Sequence, residues 1–159
     1  MSFQKASIEL ANLLNSHEIS WAYGGSCLLY FLGIQVLPRD LDVVIKLQDI
    51  EKAKTILLEN DAVLLEEKIG DNHFLTQKFY TFLWGNIEID LMAVPGIRTN
   101  DVEYRIQFDK NGPWKSIVLN NEKIYLCDPK DWLQYYALMQ NRELRVDQLT
   151  KFILNNCEN

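Results

Sequence analysis

The sequence predicts an α+β fold, a mixed β-sheet flanked by helices with further helices at the C-terminal end, on three observations. Segments of helical and of strand periodicity interleave along the 159 residues. The β-rich "HFLTQKFYTFLWGNIEIDLMAV" turns on itself at Gly85-Asn86, as a hairpin does. "DPKDWLQYYALMQNR" opens as a capped helix, with Asp128 at the cap and Pro129 at the first position, so helices close the chain over about 129–156. The length suits one domain, residues 1–159, and an apolar fraction of 48% is enough to bury a core.

Ile8, Ala11 and Leu14, with Leu10 and Leu13, recur at helical spacing and give an amphipathic first helix over residues 2–18. Residues 20–23 read as a short strand that Gly24 and Gly25 break; "SCLLYFLG" follows as a brief, mostly buried helix ended by Gly33. The β-branched run "DLDVVIKL", residues 40–47, is a central strand. "QDIEKAKTILLEN" is a surface helix with Asp49 and Glu51 near its start, where the dipole favours acids, and "AVLLEE" is the next strand. The hairpin occupies residues 73–94. Residues 102–108 and 116–119 are weaker strands separated by the turn "DKNGP". After the helix at Asp128 a last helix runs over about 145–156.

A formal charge of −6 and a pI near 4.9 argue against an extended grip on nucleic acid, while leaving room for a local basic pocket. Cys27, Cys127 and Cys157 are odd in number and far apart, which signals neither a disulfide framework nor a zinc site and fits reduced thiols. Glu9, Asn12, Asn15 and His17 interrupt the apolar centre a signal peptide would need, and the longest apolar run, residues 27–34, is too short to span a bilayer. A cytoplasmic protein with no membrane partner is the expectation.

Two carboxylates at the head of a buried strand need a compensating charge. Side chains alternate along a strand, so Asp40 and Asp42 share a face with α-carbons roughly 6.5 Å apart. Asp90, in the apolar run "IEIDLMA", brings a third carboxylate to the same spot if the two strands belong to one sheet. Three such acids make a hard oxygen site suited to Mg²⁺. Glu88 shares a face with Asp90 and reads as an exposed acid. Gly24-Gly25-Ser26, between a strand and a helix, lets backbone approach a phosphate and offers the free N–H groups of a helix start, with the Ser26 hydroxyl beside them. Taken alone, that tripeptide is a capped turn, and an Asp-x-Asp is a pair of surface acids. Arg39 either reaches a phosphate or pairs with a neighbouring carboxylate. Trp132, Tyr135 and Tyr136 either stack on a base or pack in the core. His17 and His73 lie outside these motifs.

The three elements in order, Gly-Gly-Ser, Asp-Leu-Asp thirteen residues later and a distant apolar-Asp-apolar, resemble the nucleotidyltransferase superfamily associated with DNA polymerase β. Its compact members include bacterial aminoglycoside and lincosamide nucleotidyltransferases and antitoxin-type nucleotidyltransferases. The resemblance covers residues 20–93 and thins beyond, where Arg142, Arg145 and Asp147 fit a late helical segment loosely. It implies an Mg²⁺-dependent enzyme that passes a nucleoside monophosphate, AMP from ATP, to a hydroxyl and releases pyrophosphate. By the same resemblance Gly24, Gly25, Ser26 and Arg39 would hold the nucleotide. Asp40, Asp42 and Asp90 would hold two Mg²⁺ ions, with Asp90 helping to activate the acceptor, a small molecule or a partner protein.

Two other functions remain open. The fold could serve as an antitoxin-type or regulatory interaction module, a role the small size favours and three intact acids disfavour. Asp-Leu-Asp is also a metal motif of glycosyltransferases, for which the chain is short. The oligomeric state is open, a homodimer included, and residues 95–115 form either an acceptor-binding wall or a connection.

Overall fold

A computed structural model describes residues 1–156; Cys157 lies outside the described residues. The first helix, α1 (Phe3–Ser16), starts at Ser2, whose hydroxyl accepts from Lys5 N at 3.2 Å, and buries Ala6, Leu10, Ala11 and Leu14. It leads into β1 (Trp21–Tyr23), α2 (Gly25–Phe31) and β2 (Asp40–Ile45). A 3₁₀ turn at Leu47–Asp49 precedes α3 (Ile50–Glu59). There Asp49 accepts the Ser20 N–H at 2.9 Å instead of capping the helix by its side chain. The strands β3 (Val63–Lys68), β4 (Lys78–Trp84) and β5 (Ile87–Ala93) follow, the last two forming the expected hairpin about Gly85-Asn86.

Residues 73–77, expected in the hairpin, are irregular because Leu75 N donates to Gly96 O and Phe74 bridges to Ile97. The later strand expectations are corrected in three places. The segment β7 (Val102–Arg105) stops short of Phe108 and pairs with β6 (Gly96–Thr99). "DKNGP" belongs to a turn of helix, α4 (Phe108–Asn111), closed by Gly112 at φ +69°. The third is a missed strand: β8 (Lys115–Leu119) has a hairpin partner, β9 (Glu122–Leu126). The tight turns of both hairpins, Asn100-Asp101 and Asn120-Asn121, are left-handed at both residues. That is the geometry favoured for two-residue hairpins and tolerated best by Asn and Asp. The helices α5 (Pro129–Ala137), capped by Asp128 through Lys130 N, and α6 (Glu143–Asn156) close the described chain.

Seven strands form one mixed sheet in the order β3-β4-β5-β2-β1-β9-β8, and β6-β7 form a second, two-stranded sheet. The pairs β2–β5 and β1–β9 are parallel, the rest antiparallel. Alternation along β2 and β5 sends Leu41, Val43, Ile45, Ile89 and Leu91 into the core, all fully buried, and the acids to the other face. No helix among the described residues is long and apolar enough to cross a membrane.

Candidate active site

Parallel register sets Asp42 directly opposite Asp90, and Asp40 opposite Glu88, on neighbouring central strands. The sequence-predicted acids Asp40, Asp42 and Asp90 are therefore brought together, with Glu88 at the exposed end of the same rows. Asp42 keeps some solvent contact but is enclosed by protein. Burial, then the Asp90 and Asp40 charges, push its carboxyl well above the usual range. Asp90 is also raised by burial and by Asp40, and it is held back by the Thr81 hydroxyl, which donates to its Oδ1 at 2.8 Å. Thr81 was not singled out in the sequence. The hairpin turn would have located it, because Trp84 opposes Ile87 and the same count places Thr81 opposite Asp90.

The Gly24-Gly25-Ser26 turn is locked to these acids. Gly24 N donates to Asp42 O at 2.9 Å, and Cys27 Sγ to Asp40 O at 3.2 Å. Both glycines are buried, and each lacks a side chain for a reason within the protein. A Cβ on Gly24 would lie 2.2 Å from the Trp132 indole. Gly25 has φ +56°, and a Cβ there would lie 2.1 Å from Asp42 Oδ2. Of the three, Ser26 lines the adjoining cleft.

That cleft, about 920 Å³, is lined by Ser26, Asp40 and Asp42 and by Arg39, Arg142 and Arg145, with Tyr136 from α5. Among the described residues none of the three arginines forms an ion pair with a carboxylate. Arg142 donates to Asn141 O and Arg145 to Gln148 Oε1. An acidic chain thus carries a local basic wall, built from a loop and the start of α6. Trp132, Tyr135 and Tyr136 are core residues, as their spacing allowed. Burial raises the Tyr135 phenol to about 12 and the Tyr136 phenol further, and the Asp42 charge adds to both, a sign of how near α5 runs to the acids. His17 and His73 are exposed and outside the site.

The donor set suits a hard divalent cation. Three carboxylates repel one another on one face, and no lysine or arginine among the described residues pairs with them. Among the described residues, no group of three or more His, Cys, Asp or Glu is arranged so that it could hold a metal ion by itself. Mg²⁺ does not require such a group, since it is usually held by one or two carboxylates together with substrate phosphates and water.

No family model and no curated protein matches the sequence. Solved structures do. A candidate nucleotidyltransferase of Thermotoga maritima superposes with a TM-score of 0.70 at 15% identity, over 96% of this chain and 93% of that one. The lincosamide antibiotic adenylyltransferase LnuA, lincomycin-bound, gives 0.65 at 13% identity over 95% and 98%. ANT(2″)-Ia in complex with adenylyl-2″-tobramycin gives 0.62 at 8% identity over 89% and 84%. Such identities speak to architecture alone; the alignments cover at least 84% of each chain, and the chain shares the fold of these nucleotidyltransferases.

Proposed function

We propose that this protein is a Mg²⁺-dependent nucleotidyltransferase that transfers AMP from ATP to a hydroxyl of a small-molecule acceptor and releases pyrophosphate. The observation that carries the reading is the cleft itself, where unpaired acids adjoin three arginines not engaged by carboxylates. Acids call for a metal cation and arginines for phosphate, and a metal-bound nucleoside triphosphate answers both. The adenylyl group named for two structural neighbours supports ATP as the donor.

In this reading Ser26, Arg39, Arg142 and Arg145 bind the triphosphate, with the first N–H groups of α2 at Gly25 and Ser26 beside it and Gly24 shaping the turn. Asp40, Asp42 and Asp90 would hold the magnesium ions, which supply positive charge to the phosphate and acid oxygens. Asp90 faces the acceptor: as the acceptor oxygen bonds to the α-phosphorus and the bond to the β-phosphate oxygen breaks, Asp90 takes the hydroxyl proton and pyrophosphate leaves with the electron pair. The Thr81 hydroxyl, donating to Asp90 Oδ1, fixes the orientation of that carboxylate.

The test titrates MgATP into Asp42→Asn and Asp90→Asn and follows AMP transfer to a panel of hydroxyl acceptors by mass spectrometry. Asp90→Asn is expected to bind MgATP within about tenfold of wild type and to lose ~10²-fold or more in turnover. Asp42→Asn is expected to lose both. Wild-type protein that neither binds MgATP at millimolar concentration nor modifies any acceptor would leave an interaction module as the better account.

A further inference from the structure

Three aliphatic residues, Val36, Leu37 and Leu144, interrupt the polar lining of the cleft, and the two leucines are its most exposed apolar side chains. Leu37, on the irregular segment between α2 and β2, is 92% exposed, and Leu144, in the first turn of α6, is 66% exposed. A lone exposed leucine is ordinary. These two come from distant parts of the chain and line the same cleft, beside Arg39 and Arg145. An occupant suited to such a lining carries both negative charge and an apolar surface. A nucleoside triphosphate has both, with the base as its apolar part.

We propose that Leu37 and Leu144 close on the two faces of the nucleobase and give the site a preference for purine over pyrimidine triphosphates. The proposal rests on the nucleotide reading of the cleft. Purines offer larger ring faces than pyrimidines, so an aliphatic clamp removes more apolar area from water around them. Choice between purines is weak. Gln35 and Asn141 also line the cleft, and a side-chain amide can both donate and accept, so it suits the edge of adenine or guanine alike. Adenine and guanine nucleotides bind within about tenfold of each other, since an apolar pocket distinguishes close isosteres poorly.

Calorimetric titration of wild type, Leu37→Ala, Leu144→Ala and the double variant with MgATP, MgCTP and Mg-tripolyphosphate tests this. Wild type is expected to bind MgATP several-fold more tightly than MgCTP or Mg-tripolyphosphate. Each alanine weakens MgATP by about three- to tenfold, the scale of partly uncovering one leucine, and leaves Mg-tripolyphosphate unchanged. The double variant brings MgATP and MgCTP level. Both side chains are exposed, so the melting temperatures stay at the wild-type value. Unchanged MgATP affinity in both single variants overturns the clamp and leaves the nucleotide site standing. Equal losses for MgATP and Mg-tripolyphosphate also overturn it, because the leucines would then shape the phosphate wall. Failure of wild type to bind either ligand overturns the clamp and the nucleotide site together.

Discussion

At Asp42 a carboxylate is held among protein atoms beside two more acids, and its proton is correspondingly hard to remove. In an unfolded chain the same group titrates near about 3.9. Because folding raises that value, the folded protein keeps a proton that the unfolded chain releases. The stabilisation is fully present below about pH 4 and is lost as pH rises through the folded value. Without metal, Asp42 therefore weakens the fold at neutral pH. Asp42→Asn, which resembles the protonated acid in shape and charge, is expected to raise the metal-free melting temperature at pH 7 by a few degrees, about 2–4 °C for each kcal/mol in a chain of this size. It should also flatten the dependence of stability on pH from about 4 upward. Thermal melts across that range decide it, and a variant less stable than wild type at pH 7 would mean that the protein itself already compensates the charge. Asp40, Asp42 and Asp90 could be picked from the sequence because their spacing and apolar flanks are local properties. Thr81 was within reach of a count from the hairpin turn, whereas Arg142 and Arg145 entered only through a loose resemblance and Tyr136 as one of two readings, because the packing of α5 and α6 is what brings these three to the cleft.

Among the elements, α5 does more for the site than its sequence indicated. The β6–β7 ribbon holds it from one side: Thr99 Oγ1 donates to Leu138 O at 2.9 Å, and the Tyr104 hydroxyl bonds to Asp131. From there α5 presents Trp132 to Gly24 in the Gly24-Gly25-Ser26 turn. Gly24→Ala would overlap the indole and is expected to cost about 1–3 kcal/mol. Trp132→Leu makes room, so it should be less damaging in the Gly24→Ala background than in wild type, by about 1 kcal/mol or more in a double-mutant cycle from denaturant melts. Strict additivity would show that the turn and the helix are not in contact. Residues 95–115 resisted sequence reading because "GIRTNDVEYR" lacks a clean apolar alternation and rests on a helix distant in sequence. The available signals there were Asn100-Asp101 and, farther on, Asn120-Asn121, each a two-residue turn between short strands. The longer helices and the hairpin at Gly85-Asn86 were legible because periodicity and turn chemistry agree in them.

Over the whole molecule, interleaved periodicities announce a mixed sheet, but they do not give its strand order. Nothing in Trp21–Tyr23 points to β9 as its parallel neighbour, and that pairing depends on how the entire sheet is assembled. The parallel alignment of β2 with β5 also has a consequence in time. Between these strands the chain must pass through α3, β3 and β4, so their pairing is among the less local events of folding and is expected to be slow. It is in this step that Asp42 first meets Asp90. Electrostatic repulsion then opposes the nucleation of the central sheet as well as the finished fold. Asp42→Asn is accordingly expected to refold roughly severalfold faster than wild type in stopped-flow measurements at pH 7 without metal, with little change in the unfolding limb. A difference confined to the unfolding limb would place the meeting of the acids after the barrier. The carboxylates would then limit how long the folded protein lasts, leaving the rate at which it forms untouched.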